Sequence, residues 1–140
     1  MAGPAYNDPR PLSPHLQVWR FHVTMLASIT HRITGVGLYF GSFLVATWIV
    51  ALGLAPAEGT GEVPAFYALI ETLISSIFGQ LVLVAWAAAV LYHFANGIRH
   101  MLWDGPAIGF DPKVASAVST FNFAFAAVGS VALWATAVLL

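Results

Sequence analysis

Tyr92 to Asp104 reads YHFANGIRHMLWD and closes a long apolar run. His93 and His100 are seven residues apart, two turns of an α-helix, so they share one face. Gly97 lies between them on that face and leaves a notch against which a large flat ligand could lie. Arg99, His100 and Asp104 cluster where the run meets water. Ionisable groups inside apolar spans are rare and tend to be functional. An imidazole there can hydrogen-bond a neighbouring helix, relay protons or ligate haem iron. The pattern suits a haem-binding helix, with its axial ligand in the membrane and its propionate partners at the surface. Spacing alone does not separate the three uses.

A second group lies some sixty residues earlier, in Ser28 to Arg32 (SITHR). Ser28 and Arg32 are four apart and would share a helical face, pointing into one pocket. Spacing by itself favours a plainer reading, an N-cap serine followed by an arginine at the membrane edge. The segment before it, His15 to Ala27, mixes aromatics with His15, Arg20 and His22 and suits an interfacial position, with Trp19 as a headgroup anchor. Surface roles are the default for His15 and His22.

The elements that must carry these residues follow from composition. Of 140 residues, 59% are hydrophobic and 8% charged, against about 25% charged in a soluble domain. Mean hydropathy is +0.82. This is the composition of an all-α membrane protein. No basic run with interleaved aromatics suggests nucleic acid. With no cysteine, disulfides, thiolate catalysis and iron–sulfur ligation by this chain are excluded. Pro4, Pro9, Pro11 and Pro14 make the first fourteen residues extended and external, and neither a signal peptide nor a transit peptide is expected there.

Three uncharged runs predict three transmembrane helices, at about residues 28–57, 66–103 and 113–140 of a single 1–140 membrane-anchor domain, with residues 1–27 as an inner-side N-terminal segment. Ile33 to Ala57 alone is 25 residues without a charge, enough at about 1.5 Å each to cross a core of about 30 Å. Gly37 and Gly41 form a small-xxx-small pair that could admit another helix. Glu58 to Pro64 is a polar turn, and Trp134 is a candidate anchor at the far interface.

Arg10, Arg20 and Arg32 precede the first run, and Arg99 and Lys113 flank the second connection, whereas the first connection carries Glu58 and Glu62. The positive-inside rule places the N-terminus and the second connection inside. Ser28, His31, Arg32, His93, Arg99, His100 and Asp104 then converge at the inner end of the bundle. Within the apolar spans only His93 is well placed as an axial ligand. A six-coordinate haem would therefore take its second ligand from another chain.

The segments RPLSPHLQVW (Arg10 to Trp19), SITHRITG (Ser28 to Gly35) and YHFANGIRHMLWD (Tyr92 to Asp104) resemble, in order and spacing, the signature segments of the cytochrome b membrane-anchor subunit of succinate dehydrogenase, the SdhC family. The resemblance covers the whole three-helix plan. It implies a heterodimeric helix bundle with a second membrane-anchor subunit, sharing one haem b, and docking of an iron–sulfur subunit and a flavoprotein subunit. FAD and the iron–sulfur clusters would reside only in those partners, ubiquinone would be the substrate, and no catalytic residue would lie in this chain.

By position, the resemblance makes His93 the axial ligand to the haem iron and puts His31 and His100 near the propionates. It puts Arg32 between the propionates and the quinone pocket. Ser28 becomes a hydrogen-bond donor to a quinone carbonyl, and Asp104 a carboxylate beside that pocket. Arg99 is divided between a propionate contact and a plain inside-positive residue. The expected location is a bacterial inner membrane, multi-pass, with the N-terminus cytoplasmic, rather than a mitochondrial inner membrane. Two alternatives stand beside this: a quinol:fumarate reductase anchor, and a cofactor-free scaffold subunit.

Overall fold

The computed structural model describes residues 19–55 and 63–139. Four α-helices organise them: α1 Val23–Gly53, α2 Ala65–Ser75, α3 Ile77–Asp104 and α4 Pro112–Leu139. There is no strand among the described residues. Helices α1, α3 and α4 are each long and apolar enough to cross a membrane, in agreement with the three expected spans. The proline-rich start, the first signature segment up to Val18 with His15, and most of the Glu58–Pro64 turn lie outside the described residues.

Two boundaries differ from expectation. Helix α1 begins at Val23, inside the segment assigned to the interface, because His22 caps it: its ring accepts from the Thr24 amide at 3.4 Å. Ser28 is therefore inside the helix and is not its N-cap. The single helix expected over about residues 66–103 is two helices. Ala65 to Asp104 as one helix would be roughly 60 Å long, about twice a bilayer core.

The break falls at Ser76, an extended residue that ends α2 and starts α3, its hydroxyl capping the Gly79 amide at 3.1 Å. Gly79 is required there, since a Cβ would run into the Leu73 carbonyl oxygen. Asp111 starts α4 in the same manner, its Oδ1 accepting from the Lys113 and Val114 amides at 2.9 and 3.1 Å, with Pro112 at the first helical position.

Helix α3 is central and packs on α1, α2 and α4. The packing inverts that of a water-soluble protein. Large apolar side chains such as Ile33, Phe43, Phe94 and Phe121 are exposed, as lipid contact requires. The buried positions among the described residues are small or polar: Ala27, Gly41, Ala51, Ala126, Asn96, Ser119, Asn122 and Ser130, besides Tyr92 and Arg99. Of the expected glycine pair, Gly41 is the one used. A Cβ there would collide with the Trp86 indole, while Gly37 faces open space. Trp134, at the far end of α4, donates to Gln80 Oε1 across to α3 at 2.8 Å.

Candidate functional site

The start of α1 lies against the end of α3, and two contacts pin them. Tyr92 is buried, and its hydroxyl donates to the Ala27 carbonyl at 2.7 Å. One residue on, the His93 ring reaches α1 at Nδ1, which lies 3.1 Å from the His31 carbonyl oxygen and 3.2 Å from Thr34 Oγ1. A carbonyl oxygen only accepts, so Nδ1 carries the hydrogen and donates. Nε2 then holds the free lone pair, and it makes no hydrogen bond among the described residues. Metal-ligating histidines are commonly oriented by such a bond from the other ring nitrogen.

Gly35 gives the ring its room. A Cβ at that position would lie 3.0 Å from His93 Cε1. The His31 ring covers one face of His93, with centroids 3.8 Å apart and planes 10° from parallel. His100 follows at 5.2 Å from His31, tilted by 44°. The three histidines thus form one cluster with His31 in the middle. No group of His, Asp and Glu among the described residues is arranged to enclose a bare metal ion.

The donor set fits one side of a haem. It offers one oriented imidazole with a free Nε2 and two further imidazoles. His31 Nδ1 is buried without a partner among the described residues, an orphan that a polar group of a ligand would satisfy. Gly97 adds an open notch on the same face of α3, since a Cβ there would meet nothing within 4 Å.

The remaining expected site residues separate into two sets. Ser28, Arg32 and Asp104 are exposed near this end of the bundle, at positions where a further chain or a substrate could reach them. Arg99 is not part of the histidine cluster. It lies about 120° round α3 from His93. Its Nη1 donates to Asn96 Oδ1 at 3.3 Å, and its guanidinium sits 4.1 Å over the Trp103 ring. With Asn122 it lines a cavity of about 490 Å³ between α3 and α4, so its side chain faces α4 and not His31.

Sequence reasoning missed Thr34, Gly35 and Tyr92 as parts of the site. Thr34 and Gly35 fall inside Ser28–Gly35 and Tyr92 opens the last signature segment, but nothing in residue type or spacing set them apart.

Comparison with known proteins gives a consistent picture. Residues 6–133 match the family described as succinate dehydrogenase/fumarate reductase transmembrane subunit. A succinate dehydrogenase cytochrome b556 subunit from Paracoccus denitrificans is 36% identical over 95 residues, 68% of this chain and 67% of that protein. One from Rickettsia felis is 35% identical over 99 residues, 71% and 69% of the two chains. A succinate dehydrogenase cytochrome b560 subunit from Porphyra purpurea is 39% identical over 101 residues, 71% and 74%.

Proposed function

The chain belongs to the succinate dehydrogenase/fumarate reductase transmembrane subunit family, and on that premise we propose that it anchors a succinate:ubiquinone oxidoreductase and holds one side of a haem b. The observation that carries this reading is the placement of His93 Nδ1 against α1, 3.1 Å from the His31 carbonyl and 3.2 Å from Thr34 Oγ1, which leaves Nε2 to ligate. The cytochrome b names of the relatives support the same cofactor. Bound there, the haem supplies one-electron redox chemistry.

His93 would hold the haem from this chain, with a further ligand from a second anchor subunit, because no other histidine of α1 or α3 shares this arrangement among the described residues. His31 and His100, clustered with His93, would hold the propionates. Arg99, facing α4, serves as an inside-positive residue that fixes α3 against α4, rather than as a propionate contact.

Ser28 and Arg32 act on the quinone. Both are exposed on α1 beside the cluster, where the docked iron–sulfur subunit would close the pocket over them. Ser28 donates to a quinone carbonyl oxygen. The Arg32 guanidinium is a fixed cation where negative charge develops as ubiquinone takes up two electrons and two protons. Asp104 pairs with a neighbouring arginine of the assembly. Oxidation of succinate, FAD and the iron–sulfur clusters belong to the flavoprotein and iron–sulfur partners. The relatives from bacteria favour a bacterial inner membrane, with the histidine end and the N-terminus on the cytoplasmic side.

The test is to tag this chain, extract it gently from its native membrane and record a dithionite-reduced minus oxidised spectrum. A b-type signal with larger subunits co-eluting is the expected result. Larger subunits without haem would point to a cofactor-free scaffold. Loss of both from an intact preparation would contradict the anchor reading.

A further inference from the structure

Two polar atoms meet the Nδ1 edge of His93, and only one of them belongs to a side chain that can be exchanged. Thr34 Oγ1 lies 2.8 Å from the Thr30 carbonyl, 3.0 Å from the His31 carbonyl and 3.2 Å from His93 Nδ1. A hydroxyl has one hydrogen and two lone pairs. Its hydrogen goes to a carbonyl, since a carbonyl oxygen offers none in return, and the nearer is that of Thr30. A lone pair of Oγ1 is then directed to the Nδ1–H of His93. That hydrogen is shared between Thr34 Oγ1 and the His31 carbonyl.

We propose that Thr34 is a positioning residue for His93: its hydroxyl, held by the α1 backbone, accepts from the Nδ1–H that the His31 carbonyl already fixes, and so sets the ring orientation and the donor strength of the ligating Nε2. Threonine suits the task for a geometric reason. In a helix its hydroxyl folds back on the carbonyls one turn earlier, which aims the free lone pair sideways, towards a neighbouring helix. Gly35, the next residue, lets α3 bring the ring within reach, with only 3.0 Å between a notional Cβ and His93 Cε1.

The consequence is electronic. A hydrogen bond accepted from Nδ1–H makes the imidazole more basic and a stronger donor to ferric iron. It therefore lowers the reduction potential. Removing one of the two acceptors raises it.

The inference rests on His93 being the axial ligand, and the experiment separates the two. The wild-type complex and its Thr34→Val, Thr34→Ser and His93→Ala variants are purified, and haem content and midpoint potential are measured by spectroelectrochemical titration. Valine keeps the shape and removes the acceptor, and serine keeps the acceptor. The expected result is an upward shift of the haem midpoint in Thr34→Val and a return towards wild type in Thr34→Ser. If Thr34→Val assembles without haem while Thr34→Ser retains it, the hydroxyl is again what the site needs. A wild-type potential in fully loaded Thr34→Val overturns the proposal. So does a Thr34→Ser complex as poor in haem as Thr34→Val, since the methyl would then be the group that matters. Normal haem in His93→Ala overturns the ligand assignment itself.

Discussion

The imidazoles of His31 and His93 stack across two helices, 3.8 Å between centroids and 10° from parallel. The same His31 presents its carbonyl to His93 Nδ1 at 3.1 Å. One residue of α1 thus sets both the tilt and the tautomer of one residue of α3. A backbone acceptor of this kind survives any side-chain exchange at His31, so the ring's environment is best probed through its other neighbours.

Gly35 is the tightest of these. A methyl group there would press on His93 Cε1 at 3.0 Å, so the ring would have to yield by a few tenths of an ångström. We expect Gly35→Val to lower haem affinity by about 10–100-fold, the usual cost of disturbing what orients a ligand. Haem per complex, at unchanged helical content by circular dichroism, is the measurement. Full haem occupancy would show that the ring has more freedom than the contact implies.

Gly97 is the complementary case. A Cβ there meets nothing within 4 Å in this chain, so Gly97→Leu is expected to leave the fold of this chain intact. Haem content is expected to fall by roughly tenfold or more, because the leucine fills the notch intended for the macrocycle. Unchanged haem would place the macrocycle elsewhere on α3.

Tyr92→Phe removes the 2.7 Å bond to the Ala27 carbonyl and little else. The expected loss is about 1 kcal/mol of unfolding free energy. Reversible unfolding in mixed micelles, compared with the wild type, measures it. A neutral substitution would mean that the stacking of Tyr92 on Phe123, at 4.7 Å, carries the contact.

Arg32 is exposed and outside the histidine cluster, so its removal should spare the haem. In Arg32→Ala we expect wild-type haem content and a fall in quinone reductase kcat of roughly 100-fold, as when one preorganised charge-stabilising group is lost. Succinate–ubiquinone reductase kinetics on the purified complex decide it. Near-normal kinetics would remove Arg32 from the quinone site.

Much of this is legible in the sequence. The spans are readable because a bilayer demands some twenty apolar residues at a stretch, and α1, α3 and α4 supply them. The meeting of Ser28–Arg32 with His93–Asp104 is readable because topology forces antiparallel neighbours to share a level.

The break at Ser76 is not readable. Two serines, Ser75 and Ser76, in an apolar run mark nothing until Gly79 is seen against the Leu73 carbonyl. The acceptor of His93 is not readable either, since a backbone carbonyl leaves no trace in residue type. Nearness in sequence groups Arg99 with His100, although six residues along a helix turn it about 120° away from His93. The buried amides Asn96 and Asn122, and the cavity that Asn122 borders with Arg99, become visible only once α4 is laid against α3.

The most direct measurement is the reduced minus oxidised spectrum of the purified complex carrying His93→Ala, beside the wild type. If Nε2 of His93 is the ligand, the b-type signal falls at least about tenfold while the partner subunits still co-elute. A signal of wild-type size and position in an assembled His93→Ala complex would contradict the assignment, and with it the role of the α1–α3 joint in holding haem.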